Sequence, residues 1–278
     1  MGAGARQFED EHVILDRVNQ QPVVSAFGVK GACKSGSSSC GKRILPSAAV
    51  EYGIIRDMTL RLYHGSQNGH VKPQYGLGEE RHDFGKGFYL TDSPALAKEW
   101  AVSRPKSHDG WIHAFDLELD DLRVLDFRNE KNVFAWIAEL MKHRDADESV
   151  AYRRRAPLFI ERFGVDTDAA DVIVGWRADA SYFYIVKAFV RGEIDADCLP
   201  ELLRLGGFGI QYVVKSQKAY AQLRAAADLR QPVRYDAYHA AYESRDGEAR
   251  NKMRELIADP SFNRLERLFA DLLRGERT

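Results

Sequence analysis

The sequence predicts an α+β protein, in which short strands alternate with helices along most of the chain. Two observations carry this prediction. Runs of β-branched and aromatic residues between turn-forming residues predict strands at 60–64, 86–90, 111–118, 122–126, 171–175 and 209–215. Segments with helical periodicity lie between them, and they predict helices at 94–103, 130–143, 156–163, 180–191, 195–204 and 217–225.

Cap residues support two of the helix boundaries. Asp92 or Ser93 stands directly before Pro94, and proline is well tolerated in a first helical turn. Ser216 directly precedes the helix predicted from Gln217. Both helices are therefore expected to begin at these side-chain caps.

The prediction divides the chain into three segments. Residues 1–57 form an N-terminal extension, partly flexible, because 31–41 is rich in Gly, Ser and Cys and Met58 directly precedes the first strongly patterned strand. Residues 58–225 form the folded α+β domain. Residues 226–278 are expected to be a helical segment that packs on this domain, with Ser261 capping an apolar helical stripe. A partner-binding helix is the alternative for that stripe.

Composition excludes several classes of protein. The 278 residues carry a formal net charge of -1, which gives no general electrostatic attraction for nucleic acid or an anionic membrane. No apolar run is long enough for a membrane span. Cys33 and Cys40 are too far apart for a zinc knuckle, and with Cys198 they are expected to be reduced thiols in a cytoplasmic protein. No metal site is expected.

Two motifs combine glycine with aromatic or imidazole side chains. The first is His64-Gly-Ser66 at the end of a predicted strand, and the second is Asp83-Phe-Gly-Lys-Gly-Phe-Tyr-Leu-Thr91 about twenty residues later. Trp100 follows Tyr89 by eleven residues, on the helix predicted after that strand. Because glycine lacks a Cβ, we expect the backbone here to let a flat ligand approach closely.

These motifs occur in order with Gln211-Tyr on a late strand and with an Arg177–Phe183 segment. Together they resemble the ADP-ribosyltransferase superfamily, on the branch related to diphtheria toxin and the poly(ADP-ribose) polymerases. More closely, they resemble an uncharacterised bacterial family of stand-alone domains on that branch. The resemblance covers roughly 59–225 and not 1–57. It implies a split β-sheet core with flanking helices and a C-terminal helical extension, and it implies NAD as substrate without a metal.

The resemblance assigns roles to matching positions of this sequence. His64 is expected to contact the adenosine-side ribose of NAD, and the main chain of Gly65 to hold the nicotinamide carboxamide, with Ser66 beside it. Tyr89 and Trp100 are expected to sandwich the nicotinamide ring, since aromatic faces attract a pyridinium cation.

The third motif position departs from the superfamily. A glutamate normally supports the cationic transition state there, whereas this chain has Gln211, which completes the catalytic set with His64 and Tyr89. The departure makes poly(ADP-ribose) synthesis unexpected, and it predicts that Gln211→Glu raises NAD hydrolysis. Asp83 or Asp179 is an alternative acid. Arg81 is expected to meet the pyrophosphate of NAD, with a solvated role as the alternative.

The resemblance therefore implies an NAD-dependent mono-ADP-ribosyltransferase that modifies a macromolecular acceptor, protein or nucleic acid. The resemblance implies a bacterial toxin with an antitoxin or immunity partner, an antiphage factor or an effector delivered by a specialised secretion system. Two alternatives stay open. One is a binding module for NAD or ADP-ribosylated ligands that has lost catalysis, and the other is an NAD glycohydrolase.

Overall fold

The structure, a computed structural model, describes residues 52–54, 58–103, 108–129, 132–144, 149–178, 180–205 and 209–274. Leu45–Thr278 falls in one compact unit. The strands in the described ranges are β1 (Tyr52–Ile54), β2 (Thr59–Ser66), β3 (Phe88–Thr91), β4 (Gly110–Glu118), β5 (Arg123–Asp126), β6 (Val172–Trp176), β7 (Ile210–Val214) and β8 (Leu223–Val233).

These strands form one mixed sheet in the order β1-β5-β6-β7-β3-β2-β4-β8. The β5–β6 pair is parallel and the other pairs are antiparallel. Mostly antiparallel pairing with helices packed on the sheet defines an α+β fold, as the sequence predicted.

The helices are α1 (Pro94–Val102), α2 (Val133–His143), α3 (Val150–Phe163), α4 (Ala180–Arg191), α5 (Leu199–Arg204), α6 (Gln217–Ala221), α7 (Tyr235–Ala258) and α8 (Phe269–Arg274), with a 3₁₀ turn at Ala196–Cys198 before α5. Ser93 and Ser216 cap α1 and α6 through their side chains, as predicted. In the described part of the chain, no helix is both long and apolar enough to cross a membrane.

Apolar side chains are buried on both faces of the central strands. On β6, Ile173 joins a core built largely from α2, α3, α4, α5 and the C-terminal helices. Its neighbours Val172 and Val174 join a second core on the opposite side, with Leu62, Leu90 and Phe115. The alternation of neighbouring strand residues between two cores explains why β6 is apolar throughout.

The centre of the sheet contains a weak seam between β2 and β3. These strands share a single register pair, Tyr63 with Thr91, whereas β2 pairs with β4 along its whole length from Thr59 to Ser66. The sheet therefore consists of two well-paired halves, β1-β5-β6-β7-β3 and β2-β4-β8, joined at one position.

The prediction of helix for 222–233 is wrong. The helix predicted to end at 225 ends at Ala221, and the segment predicted to be helical from 226 begins inside β8, which pairs with the edge of β4 from Leu223 to Val233. The run Leu-Arg-Ala-Ala-Ala-Asp-Leu-Arg is rich in good helix formers. Pairing with an available sheet edge overrides that local preference.

The predicted helix capped by Ser261 is also wrong at its start. The chain from Asp259 to Leu268 is irregular, Leu265 has φ +59°, and α8 begins only at Phe269. Buried side chains hold this segment in place: Asp195 accepts hydrogen bonds from the backbone of Glu266 and Arg267. These long-range bonds satisfy backbone donors without a helix, which helical spacing alone does not reveal.

The sheet also begins before the predicted domain boundary at Met58. β1 pairs antiparallel with β5, so residues within the predicted N-terminal extension contribute an edge strand. The flexible 31–41 segment predicted from composition lies outside the described residues.

Candidate functional site

Two glycines allow α1 to lie very close to the sheet. A Cβ on Gly65 of β2 would lie 1.8 Å from the carbonyl oxygen of Ala97, and one on Gly110 of β4 would lie 2.4 Å from that of Ala101. Both alanines are fully buried. The Cβ position of Gly65 thus faces α1 and not a ligand, which corrects the reason given for this glycine from sequence. The close approach fixes α1, and with it Trp100, above the end of β2.

His64 bridges the seam between β2 and β3 with its side chain. Its Nδ1 lies 2.8 Å from the carbonyl oxygen of Tyr89, and its ring stacks on Phe88 at 4.6 Å between centroids. Burial lowers the pKa of His64 to about 4, opposed by the hydrogen bond to Tyr89 and assisted by the nearby His113. The imidazole is therefore neutral near pH 7, Nδ1–H donates to the Tyr89 carbonyl, and Nε2 is an acceptor.

The Tyr89 side chain is held by hydrogen bonds at its hydroxyl and by a contact of its ring. Its hydroxyl accepts a hydrogen bond from the backbone N–H of Phe84 at 3.0 Å and donates to the carbonyl of Gly85 at 2.7 Å. Burial raises the pKa of the phenol above its ordinary value, so it stays protonated. The His82 ring lies 5.2 Å from the Tyr89 ring between centroids. These contacts fix the Tyr89 ring at the base of a cavity.

Trp100 also lines that cavity, and it lies beside a cation. The Arg177 guanidinium carbon is 5.4 Å from the Trp100 ring centroid and 5.7 Å from the Tyr242 ring centroid. Arg177 directly follows β6, and Tyr242 lies on α7. Cation–π attraction therefore holds an arginine against one wall of the cavity.

Gln211 lies deep in the site, with 3% of its surface exposed. Its Nε2 donates to Asp83 Oδ2 at 2.8 Å and to the Trp176 carbonyl at 3.1 Å. Both partners are acceptors, so the amide nitrogen must face them. The atom of Gln211 left for a ligand is its carbonyl oxygen, Oε1.

Asp83 is the buried carboxylate at the centre of these contacts. Besides Gln211 it accepts a hydrogen bond from the backbone N–H of Ala178 at 3.0 Å and pairs with Arg144 Nη1. The Arg144 guanidinium carbon lies 4.2 Å from the Phe183 ring centroid. Asp83 therefore connects its own segment of the chain to three others: β7 through Gln211, the residues after β6 through Ala178, and the end of α2 through Arg144.

The side chains described above surround a single cavity of about 670 Å³, within the usual range of small-molecule sites. It is lined by His64, Gly65, Ser66, Gln67, Asn68, His82, Asp83, Gly87, Phe88, Tyr89, Trp100, Ser103, Arg144, Arg177, Ala178, Gln211 and Tyr242. Residues of both β2 and β3 line it, so the cavity lies beside the seam.

The structure brings most of the predicted site residues to this cavity. The predicted residues that line it are His64, Gly65, Ser66, Tyr89, Trp100 and Gln211, and the alternative acid Asp83 also lines it. Arg81 is exposed to solvent and is not among the lining residues. Asp179 lies outside the described residues.

Sequence reasoning missed both arginines of the cavity wall. Arg177 was within a motif segment, but its side chain had no assigned role, and Arg144 lies at the end of α2 with no motif around it. Tyr242 lies on α7, within the segment predicted to be helical, but its side chain had no role assigned from sequence. Only the position of Arg177 directly after a buried strand offered a signal in the sequence.

Within the described ranges, no group of three or more His, Cys, Asp or Glu side chains has the arrangement of a metal site. Cys198 is buried and its thiol donates to the Phe262 carbonyl at 3.2 Å, away from the cavity. Burial raises the pKa of this thiol to about 11, and Asp195 and other nearby carboxylates contribute.

Fold and cavity together define an α+β protein with a polar, aromatic-lined cleft beside the seam of its sheet. The model of the family described as "Protein of unknown function (DUF3990)" matches residues 60–225, more than half of the chain. The chain belongs to this family. Comparison with curated proteins and with solved structures found no match. The matched region begins at β2 and ends within β8, so it contains all of the cavity-lining residues except Tyr242.

Proposed function

We propose that the cavity binds NAD as a substrate and that the protein is a mono-ADP-ribosyltransferase acting on a macromolecular acceptor. The supporting observation is that His64, Tyr89, Trp100 and Gln211 come from four separate elements and line one cavity. In this proposal, the sheet with its single-pair seam is the split sheet of the ADP-ribosyltransferase fold. NAD enters where the two halves separate.

The nicotinamide end of NAD lies between Tyr89 and Trp100 in this proposal. The pyridinium ring is flat and cationic, and aromatic faces favour such a group. Because Arg177 already lies against Trp100, the nicotinamide takes the other face of the indole. Tyr89 is suited to the opposite side because its hydroxyl bonds fix the ring before any ligand arrives.

The remaining polar groups fit the riboses and the pyrophosphate. Nε2 of neutral His64 and Oε1 of Gln211 are both acceptors, which suits two different ribose hydroxyl donors. Arg177 and Arg144 supply positive charge on the cavity wall, where a pyrophosphate needs it. These two arginines replace Arg81 as the proposed pyrophosphate contacts.

The reaction breaks the bond between nicotinamide and C1′ of its ribose. The bonding electron pair leaves with nicotinamide, positive charge develops on the ribose, and a nucleophile of the acceptor forms the new bond to C1′ and releases its proton. A neutral amide at 211 orients the ribose but is not a base, which favours a single transfer. The same neutral amide is the observation that favours the second candidate, a binding module without turnover.

Full-length protein incubated with NAD labelled in its adenylate phosphate, together with a cell lysate, tests the proposal. Transfer predicts label on protein or nucleic acid. Free labelled ADP-ribose alone would identify a glycohydrolase instead, and retained NAD without turnover would identify a binding module. No binding and no turnover would contradict the assignment of the cavity.

A matched pair of tryptophan variants locates the activity. Trp100→Leu removes a cavity wall, whereas Trp111→Leu removes a tryptophan that lies outside the cavity and packs 4.5 Å from Arg230. The proposal predicts loss of NAD binding in the first variant and retention in the second. Equal behaviour of two folded variants would argue against the cavity as the NAD site.

A further inference from the structure

We infer that Asp83 carries the negative charge of this site and acts through Gln211 as its positioning residue. This inference rests on the proposed function and deepens it. It develops the alternative in which Asp83 is the acid of the site, and it reverses the expectation from sequence that Gln211→Glu would raise NAD hydrolysis.

The geometry explains why a glutamine suits position 211. The side chain faces the Asp83 carboxylate at 2.8 Å and the Trp176 carbonyl at 3.1 Å, two acceptors that both require a donor. Gln supplies two amide hydrogens and still leaves Oε1 for a ribose hydroxyl. A glutamate in the same place would turn oxygen toward oxygen at both contacts. Gln211 is therefore the complement of Asp83 and not a disabled glutamate.

In this arrangement the Gln211 side chain lies between the Asp83 carboxylate and the proposed ligand. Asp83 is 7% exposed, so water screens its charge weakly, and the charge polarises the Gln211 amide, whose oxygen is the atom left for a ligand. Negative charge near the ribose becomes more favourable as positive charge develops there during departure of nicotinamide. Arg144 pairs with the other carboxylate oxygen, Oδ1, and leaves Oδ2 to Ala178 and Gln211.

A charge-swap cycle tests this inference with four proteins: the unmodified chain, Asp83→Asn, Gln211→Glu, and the double variant. Each single variant is expected to lower kcat for NAD cleavage at least tenfold and to change KM less. Asp83→Asn removes the charge, and Gln211→Glu places two carboxylates in contact. The double variant restores one carboxylate and one amide, so its kcat should exceed the product of the single effects at least tenfold.

The control is Asp116→Asn, which removes a carboxylate that pairs with Arg61 at the solvent-exposed surface between β2 and β4. Its kcat should match that of the unmodified chain. Circular dichroism and thermal melts establish that each variant is folded. If Asp83→Asn does not fold, Gln211→Glu alone decides, because raised turnover in that variant would overturn the inference.

The outcomes distinguish a failure of this inference from a failure of the proposed function. If the unmodified chain cleaves NAD and the kcat of the double variant equals the product of the two single effects, the proposed function stands and the role of Asp83 is overturned. A purely structural Asp83 would instead lower the melting temperature of Asp83→Asn and leave the kcat of the folded variant unchanged. Absence of NAD cleavage by the unmodified chain would overturn the proposed function and this inference with it.

Discussion

At the scale of single residues, the ring and the hydroxyl of Tyr89 do different work. The ring lines the cavity, while the hydroxyl bonds two backbone groups in the Phe84–Gly85 turn. Tyr89→Phe keeps the ring and leaves a backbone donor and acceptor without their partner. Tyr89→Ala removes both functions. The two substitutions therefore separate ligand binding from stability.

We expect Tyr89→Phe to lower the free energy of unfolding by about 1–3 kcal/mol and to keep NAD affinity within about threefold. Tyr89→Ala should weaken NAD binding at least about tenfold, about 1.4 kcal/mol. Urea unfolding and calorimetric titration measure the two quantities. Tyr75→Ala is the control, since Tyr75 is 59% exposed and does not line the cavity. Undiminished NAD binding by folded Tyr89→Ala would contradict the role of the ring.

His64 gives the protein a defined response to acid. Its pKa is lowered from 6.5 to about 4, so the unfolded chain binds this proton at a higher pH than the folded chain does. The resulting stabilisation is fully present above pH 6.5 and is lost as the pH falls toward 4. Unmodified protein should therefore lose more unfolding free energy between pH 7 and pH 5 than His64→Ala does. Equal losses in urea titrations would show that His64 titrates normally.

At the scale of secondary structure, the position of α1 depends on two glycines, which lack a Cβ. α1 crosses β2 and β4 where Gly65 and Gly110 leave room for its backbone, and the residues that it places against these glycines are Ala97 and Ala101. This packing places Trp100 at the cavity. The position of Trp100 thus depends on one glycine in each of two neighbouring strands.

Gly65→Ala is expected to destabilise the fold by at least about 2 kcal/mol, because the new Cβ would overlap the Ala97 carbonyl oxygen and move α1. NAD affinity should fall with it, since Trp100 moves too. Gly247→Ala is the matched control: Gly247 lies within α7 with no atom near its Cβ position. That change should raise stability by about 0.5–1 kcal/mol. Thermal melts compare the two, and a neutral Gly65→Ala would contradict the close packing.

The elements predicted from sequence are those whose residue pattern and tertiary environment agree. β2, β4 and β6 are rich in β-branched and aromatic residues and lie inside the sheet, and α1 has its Ser93 cap. β8 was missed because an alanine-rich run becomes a strand only when the β4 edge is available. Glycine and aromatic spacing pointed to the motifs around His64 and Tyr89, and Gln211 came from the family resemblance. Arg144 reaches the cavity from a helix end that no local pattern marks.

At the scale of the whole molecule, the sheet includes a strand that precedes the predicted domain start at Met58. β1 pairs with β5 at Tyr52, Gly53 and Ile54, so a chain that starts at Met58 lacks an edge strand. The cavity lies at the seam between β3 and β2, four strands away from β1 in the order of the sheet. Loss of β1 should therefore affect stability more than chemistry.

Two truncations test this expectation. A chain starting at Leu45 should keep the stability and NAD turnover of the full protein, because Leu45–Thr278 is one compact unit. A chain starting at Met58 should lose about 1–2 kcal/mol of unfolding free energy with the β1 hydrogen bonds, and keep turnover per folded molecule. Urea midpoints and initial rates measure both. Inactivity of the folded shorter chain would show that the N-terminal residues contribute to the site.

Because β2 and β3 share a single register pair, the two halves of the sheet are weakly connected beside the proposed binding site. A ligand that contacts His64 on one half of the sheet and Gln211 on the other adds a connection that the backbone does not supply there. Ligand occupancy should therefore slow amide hydrogen exchange on β2 and β3 far more than at the β6–β7 pair, whose ladder runs from Val172 to Trp176. Bound substrate would thus connect the two halves of the sheet where hydrogen bonds between β2 and β3 are missing.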